Sequence, residues 1–310
     1  MPFPLPPVTE AESGLRADAW LARRYPAFPM ATLRQLIASG ALLRAGHPCP
    51  KGERVRPGTL YTLLREPAAP PALAPNPALP LALLHEDDAL LAVDKPAGLD
   101  CQPNAPGETD TLANALLARF PALAGIGDGP LTCGILHRID RDTSGLVLVA
   151  RTQAAYTALR AQFAAHTVEK HYLALAQGSL SAPGRLDNLL AHNPRCPGRM
   201  IDATRWHDAK RPMRAITDYR PLRALKLHGT PFTLLDVTIY TGVTHQIRAQ
   251  LSLAGHPLLG DQRYGGLQLP NFPRHFLHAV SASFRHPTSG SPLTLSAPLP
   301  ADLAALTANR

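Results

Sequence analysis

Cysteine is scarce in this chain: Cys49, Cys101, Cys133 and Cys196 stand far apart and form no Cys-x-x-Cys pair. A zinc ribbon and a thioredoxin-like redox site are thereby excluded, and ordinary buried thiols are the expectation. No stretch is long and apolar enough to span a bilayer, and Met1-Pro-Phe-Pro-Leu-Pro-Pro7 lacks the charged start and apolar middle of a signal peptide. A soluble, cytoplasmic monomer without membrane contact is expected. Neither a Gly-rich phosphate loop nor an internal repeat is present, which argues against doubly wound nucleotide-binding folds and solenoids.

Positive charge, by contrast, is in surplus. Lys and Arg number 31 against 23 Asp and Glu, a formal net charge of +8, which suggests an anionic partner such as nucleic acid. A chain of 310 residues with 45% hydrophobic side chains suffices for one large domain with a small appendage, or for two ordinary ones. Proline marks the division. Pro67 to Pro80 holds six prolines in fourteen positions and no charge, a composition that favours extended polyproline conformation and a spacer of up to roughly 40 Å. The expected organisation is a small basic module over 1–66, a linker over 67–80 and a larger domain over 81–310.

In the small module, Met30 to Ser39 places Leu33, Leu36 and Ile37 on one helical face and stops at Gly40, a good C-terminal cap. Short apolar runs follow at Ala41–Leu43 and Leu60–Leu64, with a Pro57-Gly58 turn between them. Decorated by Arg16, Arg23, Arg24, Arg34, Lys51, Arg54 and Arg56, this helix-then-strand pattern resembles the small RNA-binding module named after ribosomal protein S-four. The Ser-Arg pair often found before that module's main helix is absent, and its Asn-Gly strand turn reads Ala45-Gly46 here. A helical cap with a solvated basic face is the alternative.

In the larger domain, Leu81–Leu84 and Ala89–Val93 read as a hairpin around Asp87-Asp88, leaving Lys95-Pro96 at a strand end. Thr111–Phe120 and Thr152–Ala165 begin with capping-type threonines and carry helical periodicity, the second through Tyr156, Leu159 and Phe163. Strands are expected at Val168–Ala176 and Leu234–Tyr240. Their irregular alternation predicts an α+β fold, a mixed sheet with helices packed on it.

The most telling segment is Leu136-His-Arg-Ile-Asp-Arg-Asp-Thr-Ser-Gly-Leu-Val-Leu-Val-Ala150. It sets Asp140 between Arg138 and Arg141, just before a Gly-led apolar run that reads as a buried strand. The carboxylate thus falls on a loop held at the edge of a rigid sheet, where chemistry commonly sits. Flanking arginines favour its charged form and suit a phosphate-rich ligand. Far downstream, Thr244 is placed to cap a helix running to Ala254. Arg248 then lies near the first turn, where the helix dipole disfavours a cation by about 0.3–1 kcal/mol, so an anionic neighbour is expected. On the strand from Val168, two-residue alternation points Lys170 and Tyr172 to one face.

The loop and strand resemble the signature of the RluA-type pseudouridine synthases, in which His-Arg-Leu-Asp is followed by Thr-Ser-Gly; Ile139 replaces the usual Leu. Thr241-Gly-Val-Thr-His-Gln-Ile-Arg248, Gly255-His-Pro-Leu-Leu-Gly-Asp261 and Tyr264-Gly265 extend the likeness. So do Asp94-Lys-Pro-Ala-Gly98, Glu169-Lys-His-Tyr172 and Leu277-His-Ala279, over roughly residues 81 to 300. The resemblance implies a largely antiparallel, curved sheet with a cleft across one face. It implies isomerisation of uridine to pseudouridine in structured RNA, with no cofactor and no metal. Asp140 is then the essential residue, paired with Arg248. Tyr172 stacks on the target base with Lys170 on its face, and Arg138 fills the gap left by a flipped base or holds a phosphate. Read without the motif, Tyr172 is ordinary core, Arg138 a structural salt bridge and Arg248 a surface arginine. His137, Thr143 and Ser144 are expected to shape the loop rather than react.

Two departures stand out: Val243 replaces the arginine of the family's commonest Thr-Gly-Arg-Thr-His-Gln-Ile-Arg, and Asp100-Cys101-Gln102-Pro103 lacks the histidine often found before this proline. The basic N-terminal module favours large-subunit ribosomal RNA over transfer RNA. Two other readings compete. Asp140-Arg-Asp142-Thr143 fits the Asp-x-Asp-x-Thr of magnesium-dependent haloacid dehalogenase-like phosphatases, but that fold needs an apolar strand directly before the first Asp. A non-catalytic RNA-binding or ribosome-assembly protein would keep the fold without Asp140, Tyr172 and Arg248 together. The late histidines His256, His275, His278 and His286 lack the carboxylates of a metal site and are expected at the surface or against RNA.

Overall fold

The computed structural model describes residues 2–26, 28, 30–67, 72–105, 107–206 and 209–308. They form two compact units, Met1–Ala72 and Leu73–Arg310. The first comprises β1 (Phe3–Pro4), α1 (Ala17–Arg24), α2 (Met30–Ala38), β2 (Leu42–Arg44), β3 (His47–Pro48) and β4 (Tyr61–Leu63). Its strands make an antiparallel sheet in the order β1-β4-β2-β3. The helical face read from Leu33, Leu36 and Ile37 is buried against Trp20, Leu42 and Leu63. Ala45 and Gly46 both adopt positive φ, 47° and 84°. That pair matches the tight two-residue hairpin turn for which Asn-Gly is the usual solution.

The spacer is shorter than its prolines suggest. Residues 68–71 lie outside the described residues, and from Leu73 onward the chain packs on the second unit. Leu73 is buried in that unit's core, the Asn76 N–H donates to Asn114 O, and Asn114 Nδ2 donates to Ala74 O at 2.6 Å. Proline fixes φ and removes a donor, but it leaves the carbonyls and intervening apolar side chains free to dock.

The second unit contains, in order, β5 (Ala82–Glu86), β6 (Leu90–Lys95), α3 (Leu112–Arg119), β7 (Ser144–Ala150), α4 (Gln153–Ala164), β8 (Glu169–Gln177), β9 (Gly184–His192), β10 (Met200–Asp202), β11 (Met213–Leu227), β12 (Thr230–Ile239), α5 (Gln246–Leu253), β13 (Leu277–Arg285), β14 (Pro292–Ser296) and α6 (Ala301–Thr307). Its strands form one sheet in the order β10-β9-β11-β12-β8-β13-β7-β6-β5, with β14 also on β13. Every pairing is antiparallel except β7 with β13. The expected α+β class, a mixed and largely antiparallel sheet with flanking helices, is what the chain forms.

Strand β13 is shared. His278 and Ala279 face Ser144 and Gly145 of β7, while Ser281 to Arg285 pair with β14. At the junction Gly145 has φ 114°, and a Cβ there would sit 2.2 Å from the Ala279 carbonyl oxygen. No side chain fits that position. The glycine of Thr-Ser-Gly therefore lets β7 reach β13, which fixes where the preceding loop, and Asp140 on it, must lie.

Candidate active site

The loop before β7 is strapped from several sides. His137 Nε2 accepts the Leu148 N–H at 3.1 Å, and its ring stacks on Phe163 with centroids 5.3 Å apart. Burial first, and the Lys170 charge second, hold its imidazole down to about 3, so it is neutral in the fold. Thr143 Oγ1 and His275 Nε2 lie 2.7 Å apart, and Ser144 Oγ and His278 Nδ1 2.9 Å. His275 and His278 are therefore buried loop anchors rather than surface residues, the first of them also lining the cavity, where the expectation had placed them at the surface or against RNA. His256 Nδ1 meets the Gln177 carbonyl and His286 Nε2 meets Asp87. No three-residue group suited to a metal occurs among the described residues. Lys95, fully buried at the end of β6, donates to the carbonyls of Pro96, Leu99 and Arg141 at 2.7–2.9 Å. Burial lowers its ammonium to about 8.

Helix α5 starts one residue later than expected. Its N-cap is His245, in the left-handed region at φ 52°, rather than Thr244. Gln246 anchors the turn, its Oε1 accepting from Thr241 Oγ1 and the Val243 N–H. Arg248 falls in the first turn, and its dipole cost is met by carboxylates on two sides. Nη1 donates to Asp140 Oδ2 at 2.8 Å, while Nε and Nη2 hold Asp261 Oδ2 and Oδ1 at 2.7 and 2.9 Å. Asp261 is 1% exposed and Asp140 23%. Asp140 Oδ1 accepts no hydrogen bond from a described residue, and His245 Nε2 stands 4.0 Å away.

Burial raises the Asp140 pKa, but His245, Arg248 and, more weakly, His275 outweigh it, and the net shift is downward. Burial itself lowers His245 and takes His275 to about 4. The permanent positive charge beside Asp140 is therefore Arg248, not the flanking arginines read from sequence. Arg141 instead pairs with Asp100 at 2.9 Å. Arg138 is exposed, with no ion pair or hydrogen bond among the described residues, which removes the structural-salt-bridge reading.

Asp140, Arg138, Tyr172, Lys170, Arg248 and His245 line one cavity of about 910 Å³, toward the upper end of sizes that engulf small organic ligands. Tyr172 is 6% exposed and belongs to the core as well as to the cavity wall. Burial, with the Asp140 charge second, raises its phenol. Lys170 Nζ donates to Thr241 O at 3.0 Å and is lowered by burial to about 8. Val243 packs against the apolar cluster that includes Met200, Ala249 and Tyr264, so the missing arginine leaves an apolar patch next to the site.

The family described as RNA pseudouridylate synthase matches residues 89–253. The chain belongs to it. The ribosomal large subunit pseudouridine synthase D of Xanthomonas campestris is 37% identical over 96% of this chain and 89% of its own length. The protein of the same name from Escherichia coli is 32% identical over 96% and 91%. The human RNA Pseudouridylate Synthase Domain Containing 1 structure superposes at a TM-score of 0.58 and 26% identity, covering 73% of this chain and 87% of that one. The pseudouridine synthase reaction breaks the bond from ribose C1′ to N1, joins C1′ to C5, and exchanges a C5 proton for one on N1. For that chemistry a pseudouridine synthase needs an ionised carboxylate in a cavity large enough for an extruded nucleoside. The phosphatase reading fails on its own requirement, because the residues directly before Asp140 form no strand.

Sequence reasoning missed Asp261, His245, Tyr264 and His275. His245, Asp261 and Tyr264 lie inside the family-like motifs, yet nothing in their spacing announced that Asp261 would clamp Arg248. Free Cys196 is exposed, against the expectation of buried thiols, whereas Cys49, Cys101 and Cys133 are buried.

Proposed function

We propose that this pseudouridine synthase modifies uridine in large-subunit ribosomal RNA, with Asp140 as the reacting carboxylate and Arg248 its fixed counter-charge. The observation that supports the assignment is the 2.8 Å Asp140–Arg248 contact at the wall of a cavity large enough to admit a nucleoside. Tyr172 offers the flat surface on which the released ring rests while it turns. Exposed, and without an ion pair among the described residues, Arg138 takes the place of the flipped base or holds its phosphate. Lys170 sits beside Tyr172 on the same strand face, within reach of a carbonyl or phosphate oxygen. The printed names of the relatives support the ribosomal target, and the basic first unit supplies cations for RNA outside the cavity.

The test maps pseudouridines in ribosomal and transfer RNA with and without the gene product, then with Asp140→Asn. Large-subunit sites that vanish in both cases, while RNA affinity holds within about twofold, are expected. Sites confined to transfer RNA would overturn the target, and sites that persist with Asp140→Asn would overturn the residue assignment.

A further inference from the structure

His245 holds an unusual place for its residue type. Its backbone is left-handed, a conformation that persists off glycine where surroundings over-determine it, and such positions cluster at active sites. The imidazole lies in the cavity wall. Nδ1 is 3.1 Å from Tyr264 Oη, and the two rings meet edge to face with centroids 5.7 Å apart. Tyr264 Oη already accepts the Met200 N–H at 2.8 Å. Among the described residues, the recipient for its own proton is His245 Nδ1. An imidazole that accepts at Nδ1 carries its hydrogen on Nε2. That N–H faces Asp140 Oδ1, 4.0 Å away, the oxygen that Arg248 leaves open.

We propose that His245 is a positioning residue whose Nε2–H closes on Asp140 Oδ1 when uridine fills the cavity, so that the carboxylate is held at both oxygens. Contacts of this kind are commonly long in the free enzyme and tighten on the substrate. Two held oxygens fix the plane of the carboxylate and leave a lone pair on each for the nucleoside. Tyr264 acts one step further out by setting the tautomer, and Met200 orients Tyr264. The charged and titratable groups facing the imidazole are Asp140 and Asp261, Arg248 and Arg263, and Tyr264. Burial and the two guanidiniums favour its neutral form, the carboxylates oppose them, and neutrality wins.

The inference rests on Asp140 being the reacting group, so the experiment runs Asp140→Asn alongside His245→Phe and His245→Gln in the full chain. Turnover, KM, RNA affinity and thermal midpoint are measured from pH 5 to 9 on an RNA carrying the mapped uridine. Phenylalanine keeps a flat ring against Tyr264 and removes the donor; glutamine restores an N–H. With His245→Phe, kcat falls at least tenfold and up to about 100-fold, the scale of a misplacement of order 1 Å. KM and affinity hold, the thermal midpoint falls modestly because buried Tyr264 loses its acceptor, and the acid limb of kcat moves to higher pH because Asp140 has lost a group that favours its anion. Glutamine recovers part of the rate. An unchanged kcat, or a loss that follows KM and thermal midpoint with no movement of the acid limb, overturns the proposal. An active Asp140→Asn overturns the Asp140 assignment and this inference together. An inactive Asp140→Asn beside a full-speed His245→Phe removes the inference alone.

Discussion

Arg248 is the residue on which the charge balance of the site turns. Its guanidinium serves two carboxylates, one of them fully buried, and removing it strands both. Arg248→Met is expected to lower turnover by at least about 100-fold and stability by about 3–5 kcal/mol, read from urea unfolding. A loss below about 1 kcal/mol would mean that Asp261 finds another partner. Two histidines with depressed pKa values set the acid behaviour. His137 and His275 are neutral in the fold, with pKa values of about 3 and 4 against an ordinary 6.5. The unfolded chain therefore binds protons first, and stability falls as pH drops from 6.5 toward 4. Asp140, lowered in the fold, adds to the loss once pH passes below the ordinary carboxylate range. Unfolding free energies across pH 4–8 check the sign, and a flat profile would contradict it. At this scale the placing of side chains was legible in part: Asp140 on a loop ahead of a buried strand, and Lys170 and Tyr172 on one strand face at the cavity wall. Asp261 was not, because a carboxylate in a turn carries no periodic signal, and its meaning depends on a guanidinium thirteen positions upstream.

Among the elements, strand β7 and its junction with β13 place the chemistry. Gly145→Ala drives a methyl group onto the Ala279 carbonyl and is expected to unpair the strands at that point. Gly98→Ala, also at positive φ but facing open space, meets only the left-handed backbone cost of about 1–2 kcal/mol. Urea midpoints should rank them in that order, with activity lost only in the first; equal midpoints would refute the packing argument. The apolar strands β6, β7 and β8 were readable because they are buried on most or all sides. Strands β9 and β11 escaped notice because each is covered on one face only and carries arginines on the other. Pro221 argues against a strand in sequence, yet it lies at a register shift of β11, where proline is tolerated.

Taken whole, each of the two units carries apolar clusters of its own, one among the described residues of the first and three in the second. Trp20 and Tyr61 anchor the first unit, and the β6–β7–β8 layer anchors the second. Heating is expected to give two heat-absorption steps, or optical probes that do not coincide. Emission from fully buried Trp20 tracks the first unit. A single coincident transition would show the units to be thermodynamically one. No helix among the described residues is long and apolar enough to cross a membrane.

RNA brings a dense array of phosphates to a protein with a net charge of +8, and each phosphate competes for every arginine within reach. A guanidinium tethered to a single acid would be open to capture at the moment of docking. Arg248 has two of its three donor nitrogens, along one edge, committed to an acid that solvent does not reach. Swinging outward would break both of those bonds, and the third nitrogen lies on Asp140. The turn bearing Asp261 thus works as a ratchet pawl, keeping the guanidinium beside Asp140 from being drawn off by an incoming phosphate.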